Sequence, residues 1–399
     1  MNEELEKQLE SLVGKIHSKE EFDQVRDQLL KRGIETLLNA EMTAHLGFAK
    51  GTTAPENNVR NGYSKKTLKT TNGNQRIQIP RDREASFDPV IVPKHQSISQ
   101  ELEDCIQLLY AKGMSNSDII DFIEHTYGVE YSTSQVSIIT NQLLEDIKQW
   151  QSRPLEDIYP IIWIDAIHYK IRHEGKVLSK ACMIVLGVNV EGQQDILSMS
   201  IVENEKASAW MSILDDLRSR GVKDILFLCS DNLPGLDKAI EAIFPTSIRQ
   251  VCIVHQIRNS LKYVSYKDRR MVVADIKGIY SADNETIALQ AFEEFKNNWA
   301  DKYALAVKSW ENNWTNLTAF LNYPKEIRKL IYTTNIIESF NASLRKYTRN
   351  KKVFPNDDAA LKSIYLAAQN ISKKWQKTRF NWGQIYNQLY ICFPERLTR

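Results

Sequence analysis

Apolar residues recur at helical spacing from about Phe22 to Leu46, with Ile34, Leu37, Leu38 and Met42 on one stripe and Gly47 as the stop. The pattern then loosens. Residues 51–96 carry Asn-Gly at 61 and 72, prolines at 55, 80, 89 and 93, and a short alternation over Arg76–Ile79, which predicts an extended, partly strand-forming connector. Three helices follow at Leu102–Ala111, Asp118–His125 and Ser134–Lys148, punctuated by Gly113 and Gly128, with Ser117 and Thr133 where N-caps belong. After Pro154 the period changes to that of strands: Ile161–Ile171, Val177–Val190 and Gln193–Val202, with Glu-Gly turns at 174 and 191. Helix Ala207–Arg220, strand Ile225–Cys229, helix Leu236–Phe244 and strand Gln250–Val254 complete the series.

Three hairpin-linked strands followed by two strands reached through helices predict a mixed α/β sheet with the connectivity of an RNase H-like fold. Strand signals vanish from Gln256 to about Tyr332, where helical spacing with Trp299, Trp310 and Trp314 predicts an all-helical insertion. The expected organisation is a helical region (1–50), a basic connector (51–100), a helix-turn-helix region (101–150), a catalytic core in two parts (155–255 and 333–372) around the insertion (256–332), and a basic tail (373–399). For 101–150, an ordinary helical bundle fits the pattern as well as a DNA-binding helix-turn-helix does.

Composition narrows the class. The 399-residue chain exceeds one usual core, and its five cysteines are scattered without a CxxC pair, which fits a reducing cytoplasm. No apolar stretch is long enough to span a bilayer, and the acidic start, Met1 to Glu10, has no leader-like apolar run. The net charge of +2 says little, but its distribution is uneven. Ser339–Arg399 holds twelve Lys or Arg against three Asp or Glu, and Gly51–Gln100 eight against four. Both regions are candidates to face phosphates.

Three carboxylates carry the candidate chemistry. Asp165 sits inside the apolar run Ile161–Ile167, where a charge needs a partner or a metal; the bland reading is a structural aspartate bonded to backbone or arginine. Asp231 follows Ile225–Ser230 at the carboxyl end of a strand, where α/β sheets present ligands, although a helix N-cap competes. Glu338 opens a helix, and its spacing from Asn335 is that of a capping box, yet Glu338, Asn341 or Ala342, Arg345 and Arg349 share one helix face. Three such groups suit two Mg²⁺ or Mn²⁺ ions, which need shared oxygen ligands and open positions for phosphate and nucleophile.

With these residues the chain resembles the prokaryotic Mutator-type transposases of the DDE superfamily over nearly its whole length. The matching segments are Glu41–Gly47, Arg60–Ser64, Ile79–Arg83, Trp163–Ala166, Ser230-Asp231, Cys252–His255 and Thr333–Asn341. The resemblance implies that Asp165, Asp231 and Glu338 form the catalytic, metal-holding triad. It implies double-stranded DNA as partner (transposon ends and target), at least two protomers when ends are synapsed, and a circular, copied intermediate. The family's Cys-x-x-His signature falls on Cys252 and His255, expected to support the site; a structural zinc would need a second ligand pair, and none stands at suitable spacing. Ile167 and His168 depart from the residues usual beside the first aspartate.

Thr133 and Gln135, at the start of the third helix, are candidates to touch base edges, and Arg345, Arg349, Lys351 and Lys352 to touch phosphates. The tryptophans of the insertion are expected in a core rather than stacked on bases. Two rival functions are a catalytically dead DNA-binding regulator, which the presence of all three carboxylates disfavours, and a nuclease that cannot join ends.

Overall fold

The computed structural model describes residues 10–11, 13–52, 58–94, 96–375, 378–379 and 381–397. They fall into two compact units, Met1–Tyr110 with Met114–Ile139, and Ala111–Gly113 with Thr140–Arg399. Among the described residues no helix is long and apolar enough to cross a membrane.

In the first unit, helix α1 (Lys19–Leu46) starts at Ser18, whose side chain accepts from the Glu21 amide, and stops at Gly47. The supposed connector is a packed hairpin, β1 (Arg60–Thr70) and β2 (Gly73–Asp82). Its inward residues Leu68, Ile77 and Ile79 join Leu38 of α1 and Val92 in a small core. The two Asn-Gly signals do different work: 72–73 ends the hairpin turn, whereas 61–62 falls in a bulge where the register shifts between Arg60 and Tyr63.

At the end of β2, the buried Asp82 accepts from Asn58 Nδ2 at 2.8 Å, the Ser86 amide at 3.0 Å and hydroxyl at 2.7 Å, and the Phe87 amide at 3.2 Å. Burial raises this carboxyl, but the hydrogen bonds outweigh it and hold it far below its usual range. Asp82→Ala is expected to cost the unit about 3 kcal/mol, because four donors lose one shared acceptor. Thermal unfolding measures the loss. For the parent, a depressed pKa means that this stability is present above the ordinary carboxylate value and fades as acid protonates the folded state.

Helices α2 (Gln100–Ala111), α3 (Asn116–Tyr127) and α4 (Thr133–Ser152) match the three expected helices, with different caps. Ser115, not Ser117, caps α3 through a reciprocal box with Asp118. Ser132, not Thr133, caps α4: the Gln135 amide donates to Ser132 Oγ at 3.2 Å and Gln135 Oε1 accepts from the Ser132 amide at 3.0 Å.

The second unit is built on a five-stranded mixed sheet of β3 (Ile158–His173), β4 (Lys176–Val188), β5 (Gln194–Val202), β6 (Asp224–Ser230) and β7 (Ile248–Val251), in the order β5-β4-β3-β6-β7. β3, β4 and β5 pair antiparallel, while β6 and β7 are parallel to β3. Alternation splits the sheet between two cores. Tyr159, Ile162, Ile164 and Leu228 face α5 (Ala207–Ser219) and α6 (Leu236–Ile243). Ile161, Trp163, Ile167, Phe227 and Cys229 face the later helices.

From α7 (Ile253–Ser260) through α8 (Arg269–Tyr280), α9 (Glu285–Glu311), α10 (Trp314–Thr318) and α11 (Lys325–Ile331), the described chain is helical. Its tryptophans are core residues: Trp310 is fully buried and donates to Ser260 Oγ at 3.0 Å, and Trp299 donates to Asp275 at 2.7 Å. Trp314 packs on Phe292 with ring centroids 5.0 Å apart. Helices α12 (Asn335–Thr348), α13 (Asp357–Ser372) and α14 (Trp382–Cys392) follow.

Part of the expected basic tail is built into the fold. Trp382, Ile385, Leu389 and Leu397 belong to the main core, and Arg396 donates to both oxygens of Asp224 and to the carbonyls of Thr246 and Ile225. That arginine is committed to the fold rather than to a phosphate.

Candidate active site

Sheet geometry alone brings two of the carboxylates together. Ile161 and Trp163 point to the same face of β3, so by period two Asp165 does too; Phe227 and Cys229 set the same direction for Asp231 beyond β6. Trp163 is opposite Cys229 and Ile164 opposite Ser230, so the next positions on these parallel neighbours are the two aspartates. Asp231 does not cap the helix after it, since α6 begins from Gly235 in a left-handed conformation.

The third carboxylate comes from α12, packed on the face toward which Asp165 points. The capping box with Asn335 is not formed: Thr334 is the N-cap residue and makes no side-chain cap bond. Glu338 instead accepts from Arg258 Nη1 at 2.9 Å and lies 3.3 Å from His255 Nε2. The other ring nitrogen of His255 sits 2.7 Å from Asp231 Oδ1, so one imidazole links the second and third carboxylates. Asp165 is held by the Ala166 amide at 2.8 Å and by Asn341 Nδ2 at 2.5 Å, one turn along α12 from Glu338.

Charge is unevenly compensated across this cluster. Burial, and then the nearby Asp231, push Asp165 up to about 6. His255 is raised to about 10 by its hydrogen bonds to Asp231 and Cys252, so it is an imidazolium at neutral pH. The Asp231–Glu338 end thus already has His255 and Arg258 as cations, while the Asp165 end has only neutral donors. Asn341 adds a buried carbonyl oxygen, Oδ1, with no partner among the described residues.

Carboxylate oxygens in need of charge, beside an unpaired amide oxygen, are the donors hard divalent cations take. Cys252, Asp231 and His255 also have ligand atoms within 4.8 Å of one another. Three ligands fall short of a structural zinc site, and the thiol accepts from Thr334 Oγ1 at 3.2 Å. Burial pushes the Cys252 thiol up, but hydrogen bonds from His255 and Thr334 bring it below its usual value.

The expected supporting pair therefore lies in the cluster, with His255 in the first turn of α7; the strand ends at Val251, three residues before the expected limit. Arg345 is exposed on α12, and Arg349 and Lys352 are exposed just beyond it. Lys351 is half-buried, with its ammonium 5.4 Å from the centroid of the Phe354 ring. Gln135 is half-buried, and its side-chain oxygen accepts from the Ser132 amide in the α4 cap. His168, the departure beside Asp165, is exposed and 3.4 Å from Glu205.

Arg258, Thr334 and the Asp165 bond of Asn341 were missed. Their signals were present as helical spacing: Arg258 stands three residues after His255, and Asn341 three after Glu338.

Comparison with known proteins identifies the class as transposases, enzymes that act on DNA. Within it, the chain belongs to the family described as "Transposase, Mutator family", which it matches over residues 1–378. It is 40% identical over 377 residues, 94% of each chain, to a probable transposase for an ISRM3-like insertion sequence element of Sinorhizobium fredii. It is also 40% identical over 375 residues, again 94% of each, to the transposase for insertion sequence element ISRM3 of Rhizobium meliloti. The transposase for insertion sequence element IS905 of Lactococcus lactis is 31% identical over 385 residues, 96% of this chain and 98% of that one.

Proposed function

We propose that this transposase is a DDE enzyme with an RNase H-like core that binds the terminal inverted repeats of its own element, nicks them and joins the freed 3′-hydroxyl to target DNA. The observation that carries this reading is the gathering of Asp165, Asp231 and Glu338, from two neighbouring strands and one helix, around His255. Bound Mg²⁺ or Mn²⁺, two ions in this reading, would activate the attacking oxygen and stabilise the departing one.

The chain's own residues do the positioning. Ala166 and Asn341 fix the rotamer of Asp165. His255 bridges Asp231 and Glu338 through its two ring nitrogens, and Arg258 steadies Glu338 from solvent. Arg345, exposed on the glutamate helix, and Arg349, exposed just beyond it, would hold backbone phosphates near the reacting group.

The test uses a labelled duplex ending in the element's inverted repeat, a supercoiled target and Mg²⁺. Joined product is expected. Cleaved ends that never join would make the protein a nuclease, and binding without cleavage would make it a regulator. Glu338→Gln is expected to lose cleavage and joining by about 10³-fold or more while still shifting the duplex, and adding Asp231→Asn should cost little further, because both act on one site.

A further inference from the structure

The hairpin of the first unit has a composition that its packing does not explain. From Arg60 to Arg81 there are six Lys or Arg and not one Asp or Glu, whereas a face kept soluble by charge normally mixes both signs. Cross-strand register pairs Lys65 with Gln78, Thr67 with Arg76 and Lys69 with Asn74. These pairs alternate with Leu68, Gln75, Ile77 and Ile79, which are buried, so they form the opposite, outward face.

Of that face, Lys65, Thr67, Asn74, Arg76 and Gln78 are exposed, and among the described residues their side chains make no hydrogen bond or ion pair. Lys69 is the exception. It donates to the Glu130 carbonyl at 2.6 Å and lies 4.3 Å from the centroid of the Tyr131 ring, tying the turn end of the hairpin to the loop before α4. The start of α4 itself is engaged internally, with Ser132 and Ser134 hydroxyls 2.8 Å apart and Gln135 in the cap.

We propose that the outward face of the β1–β2 ribbon enters the DNA major groove and reads base edges of the transposon end; this rests on the end-binding reading above. A two-stranded ribbon fits that groove, and the side chains are those that discriminate there. Arg76 suits guanine O6 and N7, Asn74 and Gln78 suit adenine N6 and N7, and the methyl of Thr67 suits the thymine methyl. Alternate residues on a strand stand about 7 Å apart, which is about two base-pair steps, so Arg76 and Gln78 address separate positions. Lys65 supplies a phosphate contact along the groove wall.

The full chain is titrated with two duplexes, one carrying the inverted repeat and one a scramble of the same composition, at low and moderate salt. Arg76→Ala and Gln78→Ala are each expected to cut the preference for the repeat about tenfold. Lys65→Ala should weaken both duplexes alike and lower the salt slope by about one. Guanines replaced by 7-deazaguanine should reproduce the Arg76→Ala loss in the parent and add nothing in that variant. Unchanged preference in Arg76→Ala and Gln78→Ala, with parental melting temperatures, would overturn the assignment, as would altered self-association with DNA binding intact, which would mark the face as a contact between copies. A parent chain that does not distinguish the two duplexes would instead overturn the end-binding reading itself.

Discussion

Asp165→Asn is expected to lower end cleavage and joining by at least about three orders of magnitude, without weakening end binding and without unfolding the protein. The amide keeps the shape of the carboxylate but not its charge, and charge is what the site requires of this position. Stability should move the other way. Since burial and Asp231 raise the Asp165 pKa to about 6, the unfolded chain releases this proton more readily than the folded one. Stability contributed here therefore falls as pH climbs from the ordinary carboxylate value through about 6, and an uncharged residue escapes that penalty. Metal-free Asp165→Asn is expected to melt at or above the parental temperature at pH 7, with the difference closing near pH 4. Adding Mg²⁺ or Mn²⁺ should raise the parental melting temperature and leave the variant's nearly unmoved. Parental cleavage rates in the folded variant would remove Asp165 from the catalytic machinery. An equal metal response in both proteins would remove it from the metal site.

Gly192→Val should produce a large loss of stability at a buried turn. Gly192 lies between β4 and β5 with φ of 79°, a left-handed conformation that a β-branched residue resists. A Cβ there would run into the indole of Trp382, whose Nε1 donates to the Val190 carbonyl at 2.8 Å, while the Arg379 amide donates to the Gly192 carbonyl at 3.1 Å. Backbone strain and overpacking together are expected to cost about 3 kcal/mol, or a fall in melting temperature of about 5 °C or more. The carboxyl-terminal helix should come loose first, so limited proteolysis should cut within 382–397 well before the hairpin of the first unit. A variant resisting protease like the parent would show that the turn can shift to accept a side chain.

The central sheet was legible because its residues alternate so strictly. Ile161, Trp163, Asp165 and Ile167 share one parity, and that parity both predicts strand β3 and aims its aspartate. What remained hidden was long-range choice among equally good local partners. Glu338 and Asn335 have the spacing of a capping box, and only tertiary packing decides that Glu338 pairs with Arg258 and His255, about eighty residues earlier in the chain. Gln135 shows a similar ambiguity: a polar residue at a helix start suits a base edge and a cap alike, and here its side-chain oxygen accepts from the Ser132 amide. The hairpin passed for a connector because its core is small, with Leu38 and Val92 supplied from elsewhere. In the tail, charge counts cannot see that Arg396 is spent on Asp224.

The position of the glutamate helix also sets an order in time. Residue 338 follows residue 231 by 107 positions, most of them in the helical stretch that separates β7 from α12. A ribosome needs about 5–20 s to cover that distance, and chains begin folding from the amino terminus as they emerge. A nascent chain therefore has its first unit synthesised in full, and its two aspartates on neighbouring strands, well before the third carboxylate exists. A polypeptide released anywhere in that interval keeps the hairpin and the three helices after it, but can never complete the acidic cluster.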